Sequence, residues 1–247
     1  MKNLIITDNS YILKEIMQIN QVLGIESAFD LSCSTYNDHC LDNIDSLNII
    51  GPLDLKCENT IIKIINNYCR VFSIHCKQLF PTRLVNEVEC INLHPGYNPV
   101  NRGWYPQVFA IINDLQIGAT LHQIDNELDN GLIIDRKLVQ KYSWDTSESL
   151  YWRIVVTEIE LWKKNILNIL QGKFEVTQPE NKGNLFLKRD FNELCMLNLN
   201  EYVTMRDAIN QLRALTFGEY KNAFFIDEQG NKVYVKLQLE KDTNANK

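Results

Sequence analysis

Residues 71–96 read VFSIHCKQLFPTRLVNEVECINLHPG, and the fold class follows from them. VFSIH (Val71–His75) and ECINLH (Glu89–His94) are short apolar runs of strand type. Between them, Pro81–Val88 fits a short helix that opens on proline. Strand, helix and strand in succession are the repeating unit of an α/β sheet. Outward from this unit the alternation continues. Upstream, Asn3–Thr7 reads as a buried strand, and Ser10–Gln21 as a helix with Ile12, Leu13, Ile16 and Met17 at helical spacing. Leu47–Ile50 is a further strand candidate and Thr60–Tyr68 a helix. Downstream, Tyr105–Asn113 is helical in pattern and Ala119–Ile124 returns as a strand. A three-layer α/β domain with a mostly parallel sheet is predicted.

Thr146 predicts the cap of a long helix from Ser147 to about Leu170, closed by Gly172. Its apolar run is interrupted by Glu158, Glu160, Lys163 and Lys164. Glu175–Gly183 reads as a loop. Thr204, with Asp207 three residues on, caps a second helix over 204–215. Phe224–Asp227 and Lys232–Leu239 flank a tip containing Gly230, a β-hairpin within 223–239. The chain therefore divides into a domain over 1–180 and a small C-terminal region over 181–247.

The chain has 247 residues, 45% hydrophobic and 23% charged, enough for a full core. Its net charge of −6 argues against a backbone grip on nucleic acid, which needs a basic field. No window approaches the 18 apolar residues of a membrane span, and Met1–Asp8 is too short and too soon polar for a signal peptide. The seven cysteines include no Cys-x-x-Cys pair, so a zinc ribbon is not indicated and reduced thiols in a cytoplasmic protein are expected. No metal site is expected. Neither a Gly-x-Gly-x-x-Gly fingerprint nor a Gly-x-x-x-x-Gly-Lys-Ser/Thr loop occurs, which leaves the usual dinucleotide and NTPase readings without support.

The densest polar segment is NLHPGYNPVNRGW (Asn92–Trp104), directly after a predicted strand. Loops beyond strand C-termini form the ligand crevice of an α/β sheet. Period two puts Asn92 and His94 on one face. A histidine there can take or pass a proton, and an amide beside it can donate to an oxyanion. A structural turn shaped by Pro95, Gly96 and Pro99 is the other reading. DNELDNGLI (Asp125–Ile133) also follows a strand. Asp129 either caps its own Gly-containing turn or orients His94 and stabilises its charged form. His122, in the alternating strand, reads as a satisfied sheet residue. Tyr97, Trp104 and Tyr105 either stack on a ligand or pack a helix to the sheet.

Asn92-x-His94 followed by Asp129-x-Gly131 resembles the folate-dependent formyltransferase family, which includes glycinamide ribonucleotide and methionyl-tRNA formyltransferases. The longer stretch 92–136 (NLHPGYNPVNRGWYPQVFAIIN…GATLHQID…LDNGLIID) is most similar to the sugar N-formyltransferase branch, whose members act on dTDP-4-amino-4,6-dideoxy sugars. SIHCKQLFP (73–81) and MRDAINQLRALTF (205–217) resemble the same branch.

The resemblance implies a formyltransferase-type, Rossmann-like catalytic domain. It implies N10-formyltetrahydrofolate as co-substrate, a nucleotide diphosphate amino sugar as acceptor, and a surface-polysaccharide pathway such as O-antigen. In that chemistry the neutral amine attacks the formyl carbon, His94 manages the proton, Asn92 donates to the oxyanion, and Asp129 holds His94. The folate slot falls on Leu79, Phe80 and Pro81 on one side and on Ile124, Asp125 and Glu127 on the other. Asn9, Lys77, Arg102 and Tyr105 fall to the acceptor, with Lys77 and Arg102 suited to its diphosphate. The C-terminal region is shorter than the barrel of the tRNA enzymes, and its hairpin is expected to form a homodimer interface. A phosphoribosylglycinamide-type or other amine formyltransferase is the alternative.

Overall fold

The computed structural model describes residues 2–42 and 44–242. In chain order, β1 (Lys2–Thr7), α1 (Ser10–Val22) and β2 (Phe29–Ser32) open the domain. Next come α2 (Glu58–Asn67), β3 (Tyr68–Ile74), α3 (Thr82–Glu87), β4 (Glu89–His94) and the two-residue β5 (Arg102–Gly103). Then follow α4 (Pro106–Ile112), β6 (Gly118–Gln123), β7 (Ile133–Leu138) and the long α5 (Ser147–Leu170). The C-terminal region contributes β8 (Leu185–Phe186), α6 (Lys188–Cys195), α7 (Met205–Ala214), β9 (Phe224–Ile226) and β10 (Lys232–Tyr234).

The central sheet runs β2-β1-β3-β4-β6-β7. The three pairings among β2, β1, β3 and β4 are parallel, and the β4–β6 and β6–β7 pairings are antiparallel. Period-two alternation sorts the side chains to two faces. Leu4, Ile6, Val71 and Cys90 pack under α2 and α3, with Ile61, Ile64 and Leu84. Ile5, Phe72, Ile74, Ile91 and Leu93 pack under α1 and α5. There the rings of Phe29, Phe72 and Trp162 meet at centroid distances of 5.0–5.9 Å. The Trp162 indole, which needs an acceptor when buried, donates to Asn20 Oδ1 at 3.0 Å.

The caps read from sequence form. The Thr146 hydroxyl accepts from Ser149 N, and Gly172 leaves α5 in a left-handed conformation. Thr204 accepts from Asp207 N at the start of α7. Two expectations need correction. Leu47–Ile50 makes only an isolated bridge, Leu31 to Ile49, because Leu47 faces solvent and Gly51-Pro52 ends the run. The hairpin is shorter than 223–239, with three paired residues per strand. The strands β2 and β7 and the helix α6 add to the elements read from the sequence. The hydrophobic core extends into the C-terminal region through Phe191, Cys195, Ala214, Leu215 and Ala223.

Candidate active site

At the C-terminal ends of β1, β3 and β4 lies a cavity of about 540 Å³, a size suited to small-molecule ligands. Asn92, His94, His122 and Asp129 line it together. The pairing of Asn92 opposite His122 across β4 and β6 brings two of them into contact. The third partner comes from the loop after β6, where Asp129 has a left-handed backbone, φ 48°. Gly131 makes that loop possible, since a Cβ there would overlap the Gln123 carbonyl oxygen.

The network assigns most of its own protons. His94 Nε2 lies 2.8 Å from the Asn101 carbonyl oxygen, which only accepts, so Nε2 carries hydrogen. Nδ1, 3.6 Å from Asp129 Oδ2, is the nitrogen left to exchange a proton. Gly96 permits this orientation, because a Cβ there would overlap both His94 Nε2 and the Asn101 oxygen. His122 Nδ1 donates to the Gln123 carbonyl at 2.7 Å, which leaves Nε2 toward Asn92 and Asp129. The Asn92 amide nitrogen donates to Asp129 Oδ1 at 3.0 Å and lies 3.3 Å from His122 Nε2. Gly103 N–H donates to Asp129 Oδ2 at 3.0 Å. Burial by itself would raise the Asp129 carboxyl. The nearby His94 and His122 rings and the Gly103 N–H outweigh it and hold the group far below the usual carboxylate range.

The other residues singled out in the sequence divide. Asn9, Lys77, Tyr105, Leu79, Phe80 and Ile124 line the cavity, with Leu79 73% exposed at its mouth. Asp125 and Glu127 line it too, but the Asp125 carboxylate closes its own loop on Glu127 N and the Asn130 amide. Tyr105 also stacks on Phe191, with ring centroids 4.0 Å apart. Two residues are not on the cavity wall. Pro81 turns away as the residue that opens α3. Arg102 is buried, and its guanidinium donates to the carbonyls of Leu128 and Lys182 and faces Glu127. It ties the Asp129 loop to the chain beyond α5. Trp104 lines the cavity, whereas Tyr97 packs under the Arg136 guanidinium.

Comparison with known proteins fits this geometry. Residues 64–166 match the formyl transferase family model, and 190–241 match the N-formyltransferase dimerization C-terminal domain. The chain is 44% identical over 185 residues to the dTDP-4-amino-4,6-dideoxyglucose formyltransferase of Mycobacterium tuberculosis, covering 75% of this chain and 79% of that one. The chain belongs to the sugar N-formyltransferases. Among solved structures, a 4-N formyltransferase from Francisella tularensis superposes with a TM-score of 0.89 at 44% identity, over 97% of this chain and 98% of that one. A sugar N-formyltransferase from a Shewanella species gives 0.92 at 40% identity, over the same shares.

Within this sugar N-formyltransferase, sequence reasoning missed His75, Tyr151, Glu158 and Tyr220. All but Glu158 line the cavity. Tyr220 reaches it from the C-terminal region, 5.8 Å from the Phe217 ring that packs on Tyr151. The signal for Glu158 was present, as a charge breaking an apolar helix. His122 is more than a sheet residue, since it faces Asp129. Among the described residues there is no cluster of metal-ligating side chains, and no helix is long and apolar enough to cross a membrane.

Proposed function

We propose that the chain transfers the formyl group of N10-formyltetrahydrofolate to the amine of a dTDP-linked amino sugar, with dTDP-4-amino-4,6-dideoxyglucose as the acceptor. The observation that carries this reading is the Asn92–His94–Asp129 network at the mouth of β4, in a chain of this family. The cavity suits a folate. Leu79, Phe80, Ile124 and Leu128 offer apolar wall, and an exposed leucine on a cavity rim is the kind of surface a flat ligand covers. The folate supplies the formyl carbon, and the protein's own residues position the amine and move its proton.

His94 Nδ1 receives the proton that the attacking amine loses and returns it to the leaving nitrogen. Asp129 accommodates that charge from 3.6 Å. Of the two contacts made by the Asn92 amide, the 3.3 Å one to His122 is the longer, so its hydrogen is the one that turns onto the developing oxyanion. Leu79, Phe80 and the 124–128 loop hold the folate, and Asn9, Lys77 and Tyr105 face the acceptor. Residues 181–247 serve dimerisation in a cytoplasmic homodimer. The match to a dimerization domain supports this, as do the exposed Leu199, Tyr202, Met205, Val233 and Tyr234.

The test is product formation from N10-formyltetrahydrofolate with either dTDP-4-amino-4,6-dideoxyglucose or glycinamide ribonucleotide. Formylation of the nucleotide sugar alone is expected. Formylation of glycinamide ribonucleotide alone would overturn the assignment.

A further inference from the structure

The first segment of the C-terminal region, residues 182–186, is zipped along the loop that follows His94. There β5 and β8 pair in parallel, Arg102 with Leu185 and Gly103 with Phe186. Arg102 N donates to the Asn184 carbonyl at 3.1 Å, Trp104 N to that of Phe186 at 2.8 Å, and Asn184 N to that of Pro99 at 3.1 Å. The Arg102 guanidinium closes one end on the Lys182 carbonyl at 2.8 Å. At the other end the Phe186 ring lies flat on Phe109 of α4, with centroids 4.1 Å apart. Two glycines show how closely the backbones run. A Cβ on Gly103 would stand 2.1 Å from the Phe186 carbonyl oxygen, and one on Gly183 1.7 Å from that of Pro99. Both also have positive φ, 93° and 57°, which disfavours any side chain.

The loop under this strap touches both members of the His94–Asp129 pair. The Asn101 carbonyl takes the His94 Nε2 hydrogen at 2.8 Å. The Asn98 amide donates to the Asp129 carbonyl at 3.0 Å, and Gly103 N–H to Asp129 Oδ2 at 3.0 Å. Successive N–H groups of an extended strand point to opposite edges. Arg102 and Trp104 spend theirs on the strap, so the Gly103 N–H between them is aimed at the carboxylate. The same loop is closed on itself by Tyr97 N, which donates to Asn101 Oδ1 at 3.1 Å. A shift of the strap would therefore reach the Asp129 donor and the His94 acceptor together.

We infer that the 182–186 strap is a positioning element for formyl transfer, with Gly183 and Arg102 as the residues through which it sets the 3.6 Å separation of His94 and Asp129. The inference rests on the formyl-transfer reading above. Residues 182–186 lie outside the cavity wall, so they act through the loop rather than on a ligand. A Cβ at 1.7 Å must retreat by about 1 Å or more, the scale of misplacement that costs roughly a hundredfold in rate. The strap leads directly into residues 190–241, which match the dimerization domain, so the C-terminal region serves the chemistry as well.

The test compares Gly183→Ala with Gly172→Ala in the full chain. Gly172 also has positive φ, 65°, but a Cβ there meets nothing within 4 Å, so it carries the backbone strain without the contact. Formyl transfer from N10-formyltetrahydrofolate to dTDP-4-amino-4,6-dideoxyglucose is measured for kcat and KM, with urea unfolding on the same samples. Gly183→Ala is expected to lower kcat at least about tenfold, with KM for the sugar within about twofold, less than one hydrogen bond is worth. Gly172→Ala is expected to lose stability while kcat stays within about twofold. Arg102→Lys keeps the charge, but one ammonium cannot reproduce the fork that reaches both carbonyls. Its kcat should fall about threefold or more at unchanged KM, on the scale of one lost hydrogen bond, and it carries the test if Gly183→Ala does not fold. Wild-type kcat in folded Gly183→Ala, or in Arg102→Lys, would overturn the inference. So would an equal drop in Gly172→Ala, which marks general strain, or a KM that rises as far as kcat falls, which places the strap in binding. If the wild-type chain formylates the sugar and the variants do so equally well, only this inference fails. If the wild-type chain does not formylate the sugar, the functional reading fails with it.

Discussion

Two histidines follow or end neighbouring parallel strands, each facing a carboxylate, and the two pairs are built differently. His75 is clamped by both oxygens of Glu158 at 2.9 and 3.0 Å. His94 stands 3.6 Å from an Asp129 oxygen that also accepts from a backbone N–H. The tight pair holds a ring still. The loose pair leaves one ring nitrogen with room for a proton to arrive and depart, beside a carboxylate that stays ionised. Binding benefits from the first arrangement and proton transfer from the second.

The contrast can be broken at its catalytic half first. Asp129→Asn keeps the shape of the loop but removes the charge that answers the imidazolium. Formyl transfer should fall about 10²–10³-fold, the scale of lost acid–base assistance, with dTDP binding retained. Loss in dTDP affinity instead would place Asp129 on the binding side. Gly96→Ala tests whether orientation matters as well as chemistry. Its Cβ would displace His94 from Asn101, and a drop of about tenfold or more in kcat is expected for a ring moved off its proton path.

Arg102→Met sharpens the comparison from outside both pairs. It leaves two carbonyls without their charged donor, so the chain should lose about 2 kcal/mol or more of stability in urea unfolding. Its dTDP affinity should hold to within about twofold, less than the loss of one hydrogen bond. A large loss of dTDP affinity would restore Arg102 to the acceptor site.

The smallest expected effect concerns acid. Asp129 is depressed in the folded chain, so its contribution to stability is complete above the unfolded carboxylate value of about 4. That contribution is lost as pH falls below this value toward the lower folded one. Unfolding curves of the wild type and Asp129→Asn should therefore converge below about pH 4 and stay parallel above it. Parallel curves throughout would show that Asp129 is not held ionised by its neighbours.

Much of this was legible in the residues, for local reasons. Asn92 and His94 share a face because a strand has period two, and Thr146 and Thr204 cap helices with partners three residues away. Asp129-x-Gly131 was recognisable as a turn, and the structure adds why Gly131 is needed. What escaped depends on contacts distant in sequence. Glu158 looked like a break in an amphipathic helix, and only the packing of α5 over β3 shows it fully buried against His75. Arg102 looked like a free cation, because nothing local says that carbonyls at 128 and 182 will claim it. Leu47–Ile50 has strand composition but lies against β2 for a single bridge. The donors to Asp129 from Gly103 and Asn92 belong to the same class of long-range closure.

The most direct measurement is the single-turnover rate of formyl transfer from N10-formyltetrahydrofolate to dTDP-4-amino-4,6-dideoxyglucose by His94→Ala, with dTDP binding measured on the same sample. The account predicts a rate at least about 10²-fold below wild type with dTDP affinity preserved. A rate within about threefold of wild type, less than acid–base assistance supplies, would contradict the role given to His94 and the division between the two pairs.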